Sequence, residues 1–311
     1  MLKIRIEALF SQIREKTCLF SCKLLRLVVV SKEISKLMKV DIFFAQHTVF
    51  TFNDIFAFLA KDKDPQPKNS TIYNLLTYHQ AQGHIVRIRK GLYTSVPKGI
   101  LPSQCPIDPF LIASKMADDS ILGYRTALDL FGKLHTVRNE FIYISKKRET
   151  KSFIFRDVQY KAVSIPTALK KAHNEQFGVQ SVDRLGQKIR VTSLERTLVD
   201  ILDRPNLCGS WEEIWRSLEN IEYFDIDQVL KYALLLSKST TIAKLGLFLD
   251  THRDRLMIPD AFFEQLLIRR PHKPFYLTPN QKIPQKMLAK WNVIVPSSLL
   301  NREWEEPHEN I

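Results

Sequence analysis

"STIYNLLTYHQAQGHIVRIRKGLYTSV", residues 70–96, passes from one periodicity to another across a single glycine. With successive residues set about 100° apart, Ile72, Leu75, Leu76 and His79 fall on one face, and Gly83 follows as a helix stop. From Ile85 the spacing becomes that of strands. Ile85, Val86, Ile88, Leu92 and Val96 nearly alternate with Arg87, Arg89, Lys90 and Thr94 around Gly91, which predicts a hairpin because glycine supplies the positive φ that a tight turn demands. The hairpin tip thus carries Arg87, Arg89 and Lys90. No Asp or Glu occurs between Pro65 and Ile107, whereas Lys68 and Lys98 add further positive charge. A solvated turn accounts for such residues by itself; the segments upstream give them a use.

"KVDIFFAQHTVF" (39–50) predicts one helix and "TFNDIFAFLAKD" (51–62) a second, capped by Thr51 or Asn53, with Phe52, Ile55, Phe56 and Leu59 on one face. "DPQPKN" (64–69) reads as a turn. Helix, helix, helix and hairpin within one short domain is the order of a winged helix-turn-helix, whose third helix enters the major groove while the hairpin lies over phosphates. On that third helix Ser70, Asn74, Thr77 and Ala81 are expected to face outward, with Tyr73 and Tyr78 on the flanks. The face is short, uncharged and rich in hydrogen-bonding groups; Asn pairs bidentately with adenine, and Ser and Thr accept several partners. A surface helix without such a task more often carries Lys and Glu. Ser70, Tyr73, Asn74, Thr77 and Tyr78 are therefore the predicted base-reading set, and Lys68, Arg87, Arg89 and Lys90 the predicted phosphate contacts, which position rather than specify. The competing reading is a winged helix used only for protein contacts. His79 is expected at the edge of the core, neither reader nor ligand.

The 311 residues suffice for two domains, and 45% hydrophobic residues can bury real cores. Lys and Arg number 46 against 33 Asp and Glu, a formal charge of +13 that favours an anionic partner, nucleic acid or an acidic membrane surface. Cys18, Cys22, Cys105 and Cys208 lack zinc-site spacing and the histidines form no HExxH, so a reduced cytoplasmic protein without metal or cofactor is expected. The most apolar N-terminal run, "LFSCKLLRLVVV" (19–30), is interrupted by Lys23 and Arg26 and has no small-residue cleavage site; neither signal peptide nor membrane span is predicted. Residues 1–37 read as an N-terminal extension with Leu2, Ile6, Leu9, Phe10 and Ile13 at helical spacing. A membrane-surface helix, a packing helix and an upstream-extended gene start are its alternatives, and Met38 opens the first domain.

The expected organisation is an extension (1–37), a winged helix-turn-helix domain (38–98), a linker (99–109) inside a stretch with four prolines (97–109), and a C-terminal domain (110–311). In the last, helical patterns at 109–117 and 124–131 precede strand-like 139–145, 152–165 and 187–191; helices follow at 193–203, 211–221, 226–236, 240–255 and 260–269, then a proline-rich tail. The fold class is α+β: an N-terminal winged helix-turn-helix, then a mixed α/β and finally largely helical second domain.

Within "TSLERTLVDIL" (192–202), Thr192 and Glu195 form a predicted capping box, Leu194, Leu198, Ile201 and Leu202 a buried stripe, and Arg196 and Asp200 an i,i+4 pair on the helix surface. That reading is structural; catalytic or partner-contacting roles are its rivals. "HRD" (252–254) lacks a kinase loop's metal-binding Asn, since Pro259 stands there, and no DFG follows. Gln159 and Lys161 in "RDVQYK", with Glu140 upstream, only loosely match a metal nuclease. Serine-hydrolase, Walker and dinucleotide-binding patterns are missing, so no catalytic residues are predicted. The Lys146-Lys147-Arg148 cluster reads equally as a nucleic-acid surface or a solvated turn.

Four stretches together resemble one family, the AbiEi-type antitoxins of type IV toxin–antitoxin systems. Gly83, Ile85, Arg87, Gly91 and Tyr93 resemble its wing. "DPFLIASKMADDSILGYRTALDLFG" (108–132) is similar to the segment that follows at Ala127, Leu128 and Gly132, with Thr126 where the family usually has serine. Glu195, Arg196, Thr197 and Asp200 resemble its Glu-Arg-Thr…Asp helix, and "AKLGLFLD" (243–250) its Leu-Gly helix. The resemblance spans about residues 45–255. It implies a two-domain bacterial protein whose winged helix represses its own promoter at inverted repeats in double-stranded DNA. Its C-terminal domain would neutralise a nucleotidyltransferase toxin encoded next door, not necessarily through a tight complex, with Glu195, Arg196 and Asp200 as candidates for neutralisation. A plain winged-helix regulator with a ligand-sensing or dimerising second domain is the alternative, and a metal-dependent nuclease a more distant one.

Overall fold

The computed structural model describes residues 39–61, 66–146, 152–278, 282–302 and 304. The extension 1–37 and the pair Lys147–Arg148 lie outside them. The chain divides into two compact units between Ile107 and Asp108.

The first unit runs α1 (39–46), β1 (Val49–Thr51), α2 (Phe52–Ala60), α3 (Asn69–Ala81), β2 (Ile85–Arg89) and β3 (Leu92–Ser95). The strands form a sheet in the order β1-β3-β2 with antiparallel pairing. The expected first helix over 39–50 is therefore too long. Val49–Thr51 is a strand because its β-branched and aromatic side chains pair with β3. Hydroxyls of β3 secure the approach: Thr94 donates to the Thr48 carbonyl at 2.8 Å and Ser95 to that of His47 at 3.1 Å. Thr51, not Asn53, caps α2, in a capping box with Asp54. The first N–H of that helix, on Phe52, donates to the Gly91 carbonyl at 2.9 Å and so fastens the hairpin tip to α2. At the other end of α3, Gly83 N–H bonds the Gln80 carbonyl and His84 N–H the His79 carbonyl, with Gly83 at φ +72°. This Schellman closure turns the chain from helix into β2. Val40, Phe43, Phe50, Ile55, Leu59, Ile72, Leu76, Ile85 and Tyr93 make the unit's core.

The second unit continues with α4 (Pro109–Ser114), β4 (Ile121–Leu122), α5 (Arg125–Leu130), β5 (Glu140–Ser145), β6 (Phe153–Phe155), β7 (Val158–Ser164), α6 (Thr167–Lys171), β8 (Val179–Arg184), β9 (Gln187–Thr192) and α7 (Leu194–Asp203). Then come α8 (Trp211–Glu219), α9 (Ile226–Leu236), α10 (Ser239–Thr251), α11 (Arg253–Leu256), α12 (Asp260–Leu267), β10 (Phe275–Tyr276), β11 (Gln285–Leu288), β12 (Val293–Pro296) and α13 (Ser297–Asn301). A six-stranded mixed sheet has the order β6-β7-β5-β4-β9-β8, and a small sheet the order β10-β12-β11. Both units combine helices and sheet, an α+β architecture. The expected single strand over 152–165 is a hairpin: Arg156 and Asp157 both take positive φ, 48° and 63°, between Phe155 and Val158, which pair directly. The expected helix over 240–255 ends at Thr251 and restarts as α11, with His252 donating from its ring to the Phe248 carbonyl at 2.7 Å. Leu198, Ile201 and Leu202 of α7 are fully buried, and Gly246 of α10 lies so close to Trp291 that a methyl there would overlap the indole.

Candidate nucleic-acid interface

Helix α3 packs through Ile72, Leu76 and His79, which are 1%, 1% and 2% exposed, with Leu75 half-buried. Ser70, Asn74, Thr77 and Ala81 are exposed as expected, and the flanking Tyr73 and Tyr78 are 49% and 54% exposed. Thr71 and Gln80 are exposed too. The sequence reading missed them because it assigned the outer face too narrow an arc, whereas only one stripe of α3 is buried. The helix carries no Lys, Arg, Asp or Glu. Thr77 donates its hydroxyl to the Tyr73 carbonyl at 2.9 Å, so it presents acceptor lone pairs outward. The Tyr73 ring stacks on Phe52 at 4.5 Å, and Phe52 aligns with Phe56 at 6.3 Å. Since Phe52 also anchors Gly91, one residue braces both a flank of α3 and the hairpin tip.

In the hairpin Ile85, Ile88 and Leu92 are buried, while Arg87 and Lys90 are exposed and Arg89 is half-buried. The register slips between Arg87, opposite Tyr93, and Arg89, opposite Leu92; this bulge takes the two arginines off a common alternation. Lys68 is exposed at the N-cap of α3, where no side chain caps the helix and no acid occupies the first turn. The positive end of the helix dipole thus adds to that of the cations. Among the described residues, Lys68, Arg87 and Lys90 meet no carboxylate. His79 and His84 approach Nδ1 to Nδ1 at 3.1 Å, so one of them donates to a neutral partner. Burial first, then the neighbouring His84, lowers the His79 pKa against an opposing pull from Asp41. His79 is a neutral edge-of-core residue.

The second unit corrects three expectations. Ser193, not Thr192, is the N-cap of α7, its hydroxyl accepting from the Arg196 N–H. Thr192 ends β9 and shares a hydrogen bond of 2.7 Å with Thr197. Glu195, half-buried, accepts from the Asp225 N–H at 3.1 Å rather than closing a box. Arg196 and Asp200 do pair, Nε to Oδ2 at 3.2 Å, but at 0% and 1% exposure instead of on the surface. Arg196 also donates to the Phe177 and Glu175 carbonyls at 2.7 and 3.2 Å, and Asp200 accepts from the Tyr232 hydroxyl at 2.5 Å. Gly178 faces the Arg196 stem and has no side chain to obstruct it. Complete burial pushes the Asp200 carboxyl up, with Arg196 and Tyr232 acting against it; Arg196 stays charged because Asp200 and Tyr232 outweigh its own desolvation. Buried residues of this kind cannot touch a partner directly.

Glu140 is 3.8 Å from Arg125 and 3.9 Å from Lys161, an ion-pair network that joins β5 to its neighbour β7 and to α5. Among the described residues no cluster of three or more His, Cys, Asp and Glu is arranged to hold a metal, and no helix is long and apolar enough to cross a membrane.

The geometry defines a two-unit α+β protein with an uncharged, hydrogen-bonding helix face beside a cationic hairpin. No family model matches the chain, and no curated protein matches it significantly. Among solved structures it is similar to the crystal structure of the Rv2827c protein from Mycobacterium tuberculosis, at 17% identity and a TM-score of 0.55 over 86% of this chain and 94% of that one. The likeness shows a common fold.

Proposed function

We propose that this protein is a DNA-binding autorepressor built on a winged helix-turn-helix, and that its second unit is the antitoxin of a type IV toxin–antitoxin pair, opposing a nucleotidyltransferase toxin in the cytoplasm. The observation that carries the DNA-binding reading is the exposed, uncharged face of α3 next to cations that meet no carboxylate among the described residues. In the winged-helix reading, α3 occupies the major groove, with Asn74 as the foremost base reader and Ser70, Thr71, Thr77 and Gln80 around it. Tyr73 and Tyr78 line the groove walls. Lys68, Arg87, Arg89 and Lys90 hold phosphates, and inverted repeats of double-stranded DNA are the expected target.

The antitoxin reading rests on the resemblance in the second unit. Arg196 and Asp200 contribute to it by holding α7 against α9, so the neutralising surface is composed of other residues. The proposal includes no catalytic step, metal or cofactor.

Fluorescence anisotropy with a duplex from the protein's own upstream region, against a shuffled duplex, tests the first part. Sequence-selective binding that Asn74→Ala abolishes supports it; equal affinity for both duplexes overturns it. Co-expression with the adjacent nucleotidyltransferase tests the second, where failure to restore growth overturns it.

A further inference from the structure

A second acid-free stretch lies in the last fifty residues, ahead of a tail that carries Glu303, Glu305, Glu306 and Glu309. Residues 265–302 contain no Asp or Glu, while Arg269, Lys273, Lys282, Lys286 and Lys290 are among their cations. Within this stretch β10, β12 and β11 pair in that order, placing Tyr276 opposite Ile294 and Ile294 opposite Met287. Partners across a sheet project from the same face, so the three side chains form one row. The alternate residues of β12, Val293 and Val295, are fully buried, which turns that row outward. Tyr276 and Met287 are accordingly 56% and 42% exposed. Lys273 and Lys282 are exposed in the segments that lead into β10 and β11, and among the described residues neither meets a carboxylate; Lys286, opposite buried Val295, belongs to the other face. Asp250, a carboxylate that does reach this sheet, is occupied by Lys290 at 2.7 Å and the Trp291 indole N–H at 3.1 Å.

We propose that this small sheet binds single-stranded nucleic acid, with a base stacked on Tyr276, Ile294 and Met287 as its apolar bed, and phosphates running over Lys273 and Lys282. An aromatic ring on an exposed sheet face, beside cations that meet no carboxylate among the described residues, suits unstacked bases joined by phosphates. A duplex hides its base faces and gives the ring nothing to stack on. An acidic polypeptide would satisfy the lysines and leave the ring idle. Single-stranded RNA and single-stranded DNA share the recognised chemistry, and the 2′-hydroxyl distinguishes them. The proposal is independent of α3 and its hairpin.

The test uses the full chain carrying Lys68→Ala, Asn74→Ala, Arg87→Ala, Arg89→Ala and Lys90→Ala, which removes the first unit's foremost base reader and its four phosphate contacts, and labelled oligouridylate, oligothymidylate and mixed-sequence duplex as probes. Binding of a single-stranded probe should persist. Adding Tyr276→Ala should weaken it about tenfold, whereas Tyr276→Phe should leave it nearly unchanged. Replacing Lys273 and Lys282 by Ala should lower the slope of log affinity against log salt by about 1.4, at about 0.7 per phosphate contact. Melting temperatures of the variants check that each is folded. Preference between the two single-stranded probes assigns RNA or DNA. Loss of binding in the first-unit variant, indifference to Tyr276→Ala in folded protein, or equal competition by duplex or polyglutamate would overturn the proposal. Selective promoter binding by the unaltered protein without single-strand binding leaves the DNA-reading function standing, and the reverse outcome removes that function alone.

Discussion

Arg196 is a charge taken wholly out of water, and what surrounds it decides whether that is tolerable. Its partners are a carboxylate, two backbone carbonyls and the face of Tyr232 at 5.6 Å. Arg196→Ala strands Asp200 with the Tyr232 hydroxyl alone and should cost about 3–5 kcal/mol in urea unfolding, since breaking a buried pair leaves an uncompensated charge. A surface pair would lose under about 1 kcal/mol, so the measurement separates the two locations. On the proposed DNA-binding function, residues of the first unit differ by task. Asn74→Ala should cost about 1–3 kcal/mol on the operator and little on shuffled DNA. Arg87→Ala and Lys90→Ala should weaken both duplexes alike, each lowering the salt slope by about 0.9. Asn74→Ala acting equally on both would place α3 outside the groove.

At the scale of single elements, the join between α3 and β2 depends on one residue. Gly83 holds φ +72°, and a Cβ there would approach the Pro102 ring at 3.1 Å. Gly83→Ala should destabilise the first unit by about 1–2 kcal/mol from backbone strain, read by thermal unfolding. On the other unit Glu219 of α8 gathers His252 at 2.8 Å and Arg302 at 2.9 Å. Burial works against its charge, yet the His252 hydrogen bond and the charges of Arg302, His252 and Arg255 hold its carboxyl below the usual range. A depressed folded pKa means stability that is present above the unfolded value and lost as pH falls through the folded one. Glu219→Gln should therefore flatten the loss of stability on acidification below about pH 4.3. Much of the element pattern was legible in sequence, but for uneven reasons. Thr51 and Gly83 mark helix ends through side-chain and backbone chemistry that is local, and α9 was read to the residue from its apolar period. β1 was not, because Val49 and Phe50 fit either period until β3 pairs with them. β8, with Gln180, Ser181 and Asp183 exposed, has too little apolar alternation to announce an edge strand. The turn at Arg156–Asp157 has no glycine to mark it. The α3 face was legible because helix geometry follows from order alone. The burial of Arg196 was not, since α9 and the Gly178 loop that cover it are distant in sequence.

Across the whole molecule, the residues carrying the family resemblance in the second unit prove to be those the fold itself requires. Ala127 and Leu128 are buried, Thr126 accepts the Ile142 N–H at 2.6 Å as a serine hydroxyl also would, Gly132 takes φ +66°, and Arg196 and Asp200 form the interior pair. Such residues identify an architecture more surely than a surface. The two compact units should also part experimentally. Limited proteolysis should cut at the exposed turns between about residues 97 and 104, and release a fragment containing 108–311 that unfolds cooperatively on its own. Loss of cooperative unfolding in that fragment would count against separate cores. The contact between Gly246 and Trp291 gives this second core an optical handle. Trp291 is 1% exposed, so its emission should be blue-shifted, and it presses on the backbone of α10 from the turn between β11 and β12. With Trp211, Trp215 and Trp304 replaced by Phe, the remaining indole would report by a red shift whenever the sheet bearing Tyr276 lifts from α10, and would keep its emission wavelength through changes confined to the first unit.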